Sequence, residues 1–251
     1  MNRSRINSDE FRPTKSSCSV KAGAAVALAL ISMLLAASWA QQPSDPHLQA
    51  VFAQIDRTAA NFHTTRANFV WNQYTKLVDE TDVQKGMVYF RRAGSQIEMA
   101  ADVKDPQPPK YVLFTDSKVE LYQPKIDQVT QYNVGKDRAA FETFLVLGFG
   151  GSAQDMQNSF EVSYLENEKV AGVDCAKLNL VPKSAKVRGT FDHIWLWIDP
   201  ARGVSLKQQL FAPNGDYRLA EYSDIRLNEK ISDSVFKLKT TGKTKVLSPN
   251  S

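Results

Sequence analysis

Residues 204–227 read VSLKQQLFAPNGDYRLAEYSDIRL, two runs of alternating apolar and polar residues joined by a turn sequence. Asn214-Gly215 between such runs is the strongest short-range signal for a β-hairpin, because both residue types accept the positive φ angles of a tight turn. The stretch therefore predicts two antiparallel strands. The rest of the chain is expected to extend the sheet that they begin.

The same two-residue period recurs in nine other segments, whereas helical spacing is confined to two main places. Asp45 and Pro46 form an N-cap and a first helical residue, and apolar residues then follow at three- and four-residue intervals up to Phe62. A second helix is predicted over 139–147, before Gly148. The nine further strands are predicted at 64–77, 86–92, 96–100, 111–115, 119–123, 128–132, 160–165, 175–181 and 191–198.

Strands this numerous, joined mostly by short turns, are typical of antiparallel pairing. We therefore predict an α+β fold that is mainly β, a single strongly curved antiparallel sheet with the helices packed against its concave face. A β-sandwich of two sheets is the alternative. It accounts less well for helical segments that stand before the first strand and between the two groups of strands.

The first 40 residues have the pattern of a secretory signal peptide. A basic leader precedes an uncharged apolar run at 22–37, and Ser38-Trp39-Ala40 supplies the small residues of a cleavage site after Ala40. An uncleaved membrane anchor is the alternative, but the run of about 16 residues is shorter than the roughly 20 that span a bilayer. We expect residues 1–40 to be a signal peptide, residues 41–251 to form a single domain, and the protein to be exported to the periplasm.

The charge balance changes once the leader is set aside. Residues 41–251 hold 26 Lys and Arg against 25 Asp and Glu, and no basic tract remains. This balance argues against nucleic acid as a partner. Cys175 is the only cysteine of this part, so no disulfide can form within it, and a buried core position is expected for such a thiol.

The sequence offers no arrangement typical of a catalytic or metal site. Its three histidines are His47, His63 and His193, and no pair has the spacing of a zinc site. The glycine-rich stretch 148–152 follows a predicted helix and lacks a lysine after it, so it fits a helix end and turn better than a phosphate loop. A lipid hydrolase, a further alternative, would need a nucleophile beside a base. We therefore expect a protein that is not an enzyme and holds no cofactor or metal.

Residues 191–198 read FDHIWLWI and are apolar on both faces of the predicted strand. Ile194 and Leu196 share one face with Ile198, and Trp195 and Trp197 share the other. A strand whose outer face met water would alternate with polar residues instead. Either a second buried layer covers the tryptophans, or they line a cavity for a ligand, and the pattern fits both.

Several further stretches form recognisable motifs, which are ANFVWNQ at 67–73, GMVYFRR at 86–92, VLFTDSKVELY at 112–122, DQVT at 127–130, LVPK at 180–183 and DSVFKL at 233–238. In their order and spacing they resemble the periplasmic lipoprotein carriers of the LolA family, over about Leu48 to Val246. Two positions depart from the family pattern. Ala93 stands where a proline usually follows the basic pair, and Ser117 where the hairpin usually has glycine.

The resemblance implies an incomplete barrel of about eleven strands, with the helices as a lid over an apolar cavity. It implies a monomeric periplasmic chaperone that binds the acyl chains of lipoproteins. Such a carrier would take its cargo from an inner-membrane ABC-type release complex and deliver it to an outer-membrane lipoprotein receptor. The alternative is a carrier or sensor on the same fold for another amphiphile, such as a glycolipid, a hopanoid-like lipid or a signalling lipoprotein.

The resemblance also implies where ligand and lid residues lie. In the family a basic residue on the second strand bonds the carbonyls of a lid loop and controls closing. Alignment from Gly86 places this role on Arg92, with Arg91 as its neighbour, although the residues alone fit an exposed charge pair equally well. The expected lipid-binding cavity is lined by Phe69, Trp71, Met87, Tyr89, Ile97, Met99, Leu113, Phe141, Phe144, Trp195 and Trp197.

Overall fold

The computed structural model describes residues 45–94, 96–134 and 146–249, in three helices, two 3₁₀ turns and twelve strands. The helices are α1 (Pro46–Ala60), α2 (Ala153–Ser159) and α3 (Ala185–Arg188), and the 3₁₀ turns span Pro124–Ile126 and Asp233–Phe236. The strands are β1 (Thr64–Thr75), β2 (Glu80–Ala93), β3 (Gln96–Asp105), β4 (Lys110–Thr115), β5 (Lys118–Gln123), β6 (Gln128–Asn133), β7 (Phe160–Val170), β8 (Val173–Pro182), β9 (His193–Asp199), β10 (Val204–Phe211), β11 (Tyr217–Leu227) and β12 (Lys245–Leu247).

All twelve strands belong to one curved, open sheet in the order β12-β6-β5-β4-β3-β2-β1-β11-β10-β9-β8-β7. Two meanders, β1 to β6 and β7 to β11, meet where β11 pairs antiparallel with β1. This arrangement confirms the mainly β fold with a single curved sheet and excludes the two-sheet sandwich. The prediction of about eleven strands missed β12, which pairs with β6 in the parallel direction.

Helix α1 begins as the sequence predicts and packs on one face of the sheet. The Asp45 carboxylate accepts a hydrogen bond from the backbone N–H of His47 at 2.8 Å, which caps the helix. Val51, Phe52 and Ile55 are buried against a cluster that includes the apolar side chains of β8 and β9. We call the face that carries α1 the inner face, and the opposite one the outer face.

The strand register shows which side chains share the inner face from one strand to the next. Leu196 on β9, which packs with α1, is opposite Gln208 on β10. Gln208 is opposite Ala220 on β11, and Ala220 is opposite Trp71 on β1. Because paired residues point to the same face, all four side chains lie on the inner face, and their sequence neighbours on these strands face outward.

A turn before α2 covers the inner face of the first meander. Phe149 is 1% exposed, and its ring stacks on Phe90 of β2 at 5.4 Å between centroids. Gly150 adopts a φ of +108°, and an added Cβ there would lie 2.4 Å from the Phe62 ring. A residue with a side chain could not hold this close approach, which explains the glycine-rich sequence at 148–151.

Residues 228–247, which we call the C-terminal segment, cross the outer face of the first meander. Phe236 is buried against Ala100 of β3 and Leu113 of β4. Arg91 of β2 forms ion pairs with Glu98 and with Asp233, and its guanidinium lies 4.2 Å from the centre of the Phe236 ring. The polar composition after residue 239 favours a frayed tail, and this is wrong for Lys245–Leu247, which extend the sheet.

A carboxylate in the turn before β6 holds the far end of this segment. The hydroxyls of Thr241 and Thr244 each donate to an Asp127 carboxylate oxygen at 2.6 Å, and the Lys245 N–H donates to the Asp127 carbonyl at 2.9 Å. The hydrogen bonds from Thr241 and then Thr244 lower the pKa of Asp127. The contact is therefore present above the ordinary carboxyl pKa and is lost as the pH falls through the lowered value.

We expect Asp127→Asn to loosen residues 241–247 without unfolding the sheet. Asparagine tolerates the left-handed backbone of residue 127, whose φ is 46°, but it offers one acceptor oxygen in place of two. Hydrogen exchange of the C-terminal peptide at neutral pH should accelerate. Asp116→Asn, another left-handed aspartate with φ of 50°, is the control, and equal exchange in both variants would contradict the anchoring role.

None of the helices in the described part of the chain is long and apolar enough to cross a membrane. Cys175 is fully buried, as expected, and burial raises the pKa of its thiol to about 11. The predicted signal peptide and the helix predicted over 139–147 lie wholly or mostly outside the described residues.

Candidate functional site

A pocket of about 410 Å³ lies on the inner face, across the neighbouring strands β3, β2, β1, β11 and β10. This volume is within the roughly 300–1,000 Å³ usual for small-molecule sites. We call it the inner pocket. Its described lining has an apolar floor, formed by Trp71, Val88, Phe90, Met99, Leu210, Ala220 and Tyr222, and a polar end, formed by Gln73, Asp82, Gln84 and Arg218.

The pairing register explains why apolar and polar side chains separate in this way. Gln73 on β1 is opposite Asp82 on β2 and Arg218 on β11, all close to the turns that end the two hairpins. Towards the middle of β1, Trp71 is opposite Ala220, whose side chain is a single methyl group. The small residue leaves room beside the indole, and the polar residues face the end of the sheet where water has access.

Polar groups also cross the floor of the inner pocket. The Tyr222 hydroxyl donates to Gln208 Oε1 at 3.3 Å, and Gln208 Nε2 donates to the Leu147 carbonyl at 2.5 Å. These contacts tie the turn at 146–150 to β10 and β11. Burial raises the pKa of the Tyr222 phenol, which therefore stays neutral near pH 7. Tyr222 adds a hydrogen-bonding group to the floor but no charge, which suits an apolar ligand.

Four of the predicted cavity residues lie together on the inner face. Trp71 and Met99 line the inner pocket directly. Phe69, which is 2% exposed, stacks on Trp71 with ring centroids 4.4 Å apart, and Ile97 is buried in the same apolar cluster. Phe69 and Ile97 thus support the pocket from within the core.

Three others lie on the outer face instead. Met87 and Tyr89 alternate along β2 with the inner-face residues Val88 and Phe90, and Leu113 is opposite Ala100 in the outer-face cluster. The Tyr89 hydroxyl donates to the Met87 sulfur at 3.4 Å. A strand cannot present adjacent residues to one face, so these side chains are separated from Trp71 and Met99 by the sheet itself.

Trp195 and Trp197 also face outward, away from the inner pocket. Lys177 Nζ lies 4.4 Å from the Trp195 ring centre and 5.1 Å from that of Trp197, and Lys207 Nζ lies 4.3 Å from the Trp197 ring centre. Glu168 pairs with both lysines, at 3.0 and 3.6 Å. Among the described residues, the outer face of β8 to β10 is therefore covered by long basic side chains that lie on the aromatic rings.

The side chains of the two predicted lid residues point to opposite faces of the sheet, because the residues are adjacent on β2. Arg92 lies on the inner-face side, where its Nε donates to the Phe62 carbonyl at 3.4 Å and its guanidinium stands 5.6 Å from the Phe62 ring centre. Arg91 lies on the outer face and holds the C-terminal segment. The Arg92 side chain therefore contacts Phe62 in the chain that follows α1, whereas the Arg91 side chain pairs with Glu98 and Asp233 on the other face. Phe141 and Phe144 lie outside the described residues.

Several residues that line the inner pocket were not predicted from the sequence, among them Phe90, Leu210 and Tyr222. They could have been found from Phe69 and Trp71, which are two residues apart and so share one face of β1. The hairpin turns then fix which residues of the neighbouring strands share that face. Beyond the polar end of the pocket, the turn between β1 and β2 exposes Leu77 by 93% and Val78 by 57%. These two side chains are adjacent in the chain and present apolar surface at that turn.

Comparisons with known proteins agree with this architecture. Residues 60–239 match the family described as outer membrane lipoprotein carrier protein LolA. An uncharacterized conserved protein from Thermus thermophilus has a similar structure, with a TM-score of 0.51 at 9% identity over 80% of this chain and 99% of that one. MucB gives a TM-score of 0.51 at 10% identity over 81% of this chain and 66% of its own.

The lipoprotein LppX of Mycobacterium tuberculosis gives a TM-score of 0.46 at 13% identity, over 75% of this chain and 99% of LppX. No curated protein sequence matches significantly. At these identities the likeness to the Thermus protein and to MucB shows a common fold. The family match extends from the end of α1 to the C-terminal segment, well over half of the sequence, and the chain therefore belongs to the LolA family.

Proposed function

We propose that this protein is a periplasmic carrier that binds the acyl chains of lipoproteins in the inner pocket and shields them from water between the inner and the outer membrane. The observation that carries the proposal is the inner pocket itself, with an apolar floor on the sheet and polar groups at one end. An acyl chain would lie along Trp71, Phe90 and Met99. The polar end would remain near the lipoprotein's hydrophilic part.

The physical need for such a carrier follows from the cost of exposing acyl chains. Each CH₂ group that leaves an apolar environment for water costs about 0.8 kcal/mol, so an acyl chain does not cross an aqueous compartment unshielded at a useful rate. A carrier must also give up its cargo. A neutral, apolar floor with few hydrogen bonds to the ligand allows transfer to an acceptor that binds more tightly.

We also propose that the carrier has two membrane partners and no catalytic activity. A carrier without chemistry of its own receives cargo from an energy-driven release complex of the ABC type and passes it to an outer-membrane receptor. Exposed Leu77 and Val78 stand beyond the polar end of the inner pocket, where a partner could receive the ligand directly. If the cargo is another amphiphile, the same pocket is used and the identity of the bound lipid distinguishes the two cases.

Arg92→Leu is expected to leave uptake intact and to slow transfer. Its guanidinium contacts Phe62 after α1 but does not line the inner pocket, so its removal changes how the covering chain moves and not the floor. The assay loads the protein with a fluorescent triacylated lipopeptide and follows transfer to acceptor vesicles. We expect a several-fold lower transfer rate at unchanged loading.

Arg188→Leu is the matched control, because Arg188 is exposed at the end of α3 and does not line the inner pocket. Both variants should bind the lipopeptide like the wild type. Transfer at the wild-type rate by the Arg92 variant would contradict the role proposed for Arg92. Failure of the wild type to bind the lipopeptide would contradict the proposed function itself.

A further inference from the structure

A second pocket, also of about 410 Å³, lies on the outer face and is separate from the proposed acyl site. We call it the outer pocket. One wall is the C-terminal segment, and the other is the outer face of β2 to β5. Apolar side chains and three phenols line it, namely Ala100, Leu113, Val235, Leu238, Tyr89, Tyr111 and Tyr122.

The C-terminal segment is fixed on both sides of this pocket. On one side Arg91 pairs with Asp233. On the other, Thr241 and Thr244 donate to Asp127. Residues 234–239 thus bridge the sheet between two anchors, and the space beneath them is preformed. A preformed site binds a ligand without the cost of ordering its own walls.

The opening of the outer pocket is positively charged. Lys237 and Lys239 line it and are exposed, and neither has a carboxylate partner within the described part of the chain. Asp102 also lines the pocket, but Lys104 Nζ lies 3.7 Å from its Oδ2 and balances its charge. The local charge therefore favours an anion at the opening, above an apolar interior.

We propose that the outer pocket binds a single-chain anionic amphiphile. The chain would lie between Leu113 and Leu238, and the carboxylate or phosphate head would lie near Lys237 and Lys239. The Tyr111 phenol lies along the same pocket, while the hydroxyls of Tyr89 and Tyr122 donate to Met87 and to Asp127. This site is distinct from the inner pocket, because the whole thickness of the sheet separates the two.

Photolabelling with dodecanoate that carries a terminal diazirine tests this directly. Mass spectrometry should find label in peptides that contain residues 110–115 and 231–240. The double variant Lys237→Glu/Lys239→Glu should reduce that label about tenfold, an effect in the range of two exposed charge contacts. The control Lys118→Glu/Lys169→Glu makes the same charge change at two exposed lysines outside the pocket lining and should leave the label unchanged.

Competition experiments identify the preferred head group and test whether the site requires an anion. Unlabelled dodecanoate or lauroyl lysophosphatidylglycerol should displace the probe, and the stronger competitor shows whether a carboxylate or a phosphate is preferred. Dodecyltrimethylammonium should not displace it. Label confined to peptides of the inner pocket, equal label in both double variants, or equal competition by the cation would each overturn the assignment. Label in inner-pocket peptides in addition to those of the outer pocket bears only on the proposed function, so the two proposals can fail separately.

Discussion

Gly86→Ala is expected to destabilise the protein by about 2–3 kcal/mol, at the upper end of the range for overpacked cores. A Cβ at Gly86 would lie 2.0 Å from the Asp102 carbonyl oxygen and 3.1 Å from Cζ of Phe69. The first contact is with backbone, so β3 would have to move away from β2. The thermal midpoint should fall by about 5–10 °C, since about 2–4 °C corresponds to 1 kcal/mol in a domain of this size.

Gly189→Ala is the matched control for this substitution. The residue adopts a helical φ of −64° at the end of α3, and an added Cβ would have its nearest neighbour at an ordinary 3.4 Å. Such a change usually stabilises a protein by about 0.4–1 kcal/mol through the unfolded chain. The two alanine substitutions should therefore shift the midpoint in opposite directions. An unchanged or higher midpoint for Gly86→Ala would contradict the close approach of β2 and β3.

Ala220→Trp is expected to abolish acyl binding while the sheet stays folded. Ala220 is opposite Trp71 on the floor of the inner pocket, so a second indole would occupy the space that the proposal assigns to an acyl chain. Overpacking costs about 1–3 kcal/mol, and circular dichroism should still show a cooperative transition. The dissociation constant for the fluorescent triacylated lipopeptide should rise more than tenfold.

Ser223→Trp is the control, because Ser223 is exposed on the outer face of the same strand. It adds the same side chain to β11 without entering the inner pocket. Its lipopeptide affinity should equal that of the wild type. If Ala220→Trp also bound the lipopeptide normally, the acyl chain would have to lie elsewhere, and the inner pocket would lose its proposed role.

The alternation of side chains made most of this fold predictable. Asn214-Gly215 forms the turn between β10 and β11, and the capped helix begins at Pro46 as its sequence indicates. These features are local, since each depends on the chemistry of a few neighbouring residues. The parallel strand Lys245–Leu247 is not local. It exists because Asp127, more than one hundred residues earlier, bonds Thr241 and Thr244, and no pattern within the tail predicts that contact.

The site was less predictable, for a reason that Trp195 and Trp197 illustrate. Large aromatic residues on a strand indicate burial, but the pattern does not say what buries them. Here Lys177 and Lys207 cover the rings, and a lysine on a predicted strand does not by itself indicate that it lies over an aromatic neighbour. A small residue, in contrast, gives no indication of a site in the sequence. Ala220 nevertheless shapes the inner pocket through the space that it leaves free.

Native mass spectrometry of the protein, purified from its native host without detergent, tests whether the inner pocket carries lipid. A stoichiometric lipoprotein or other acylated ligand is expected on the wild type, and none is expected on the Ala220→Trp variant. The mass of the ligand would also identify the cargo class. Wild-type protein that is free of lipid, and that takes up no acyl chain from micelles, would contradict the proposal that the inner pocket carries lipid.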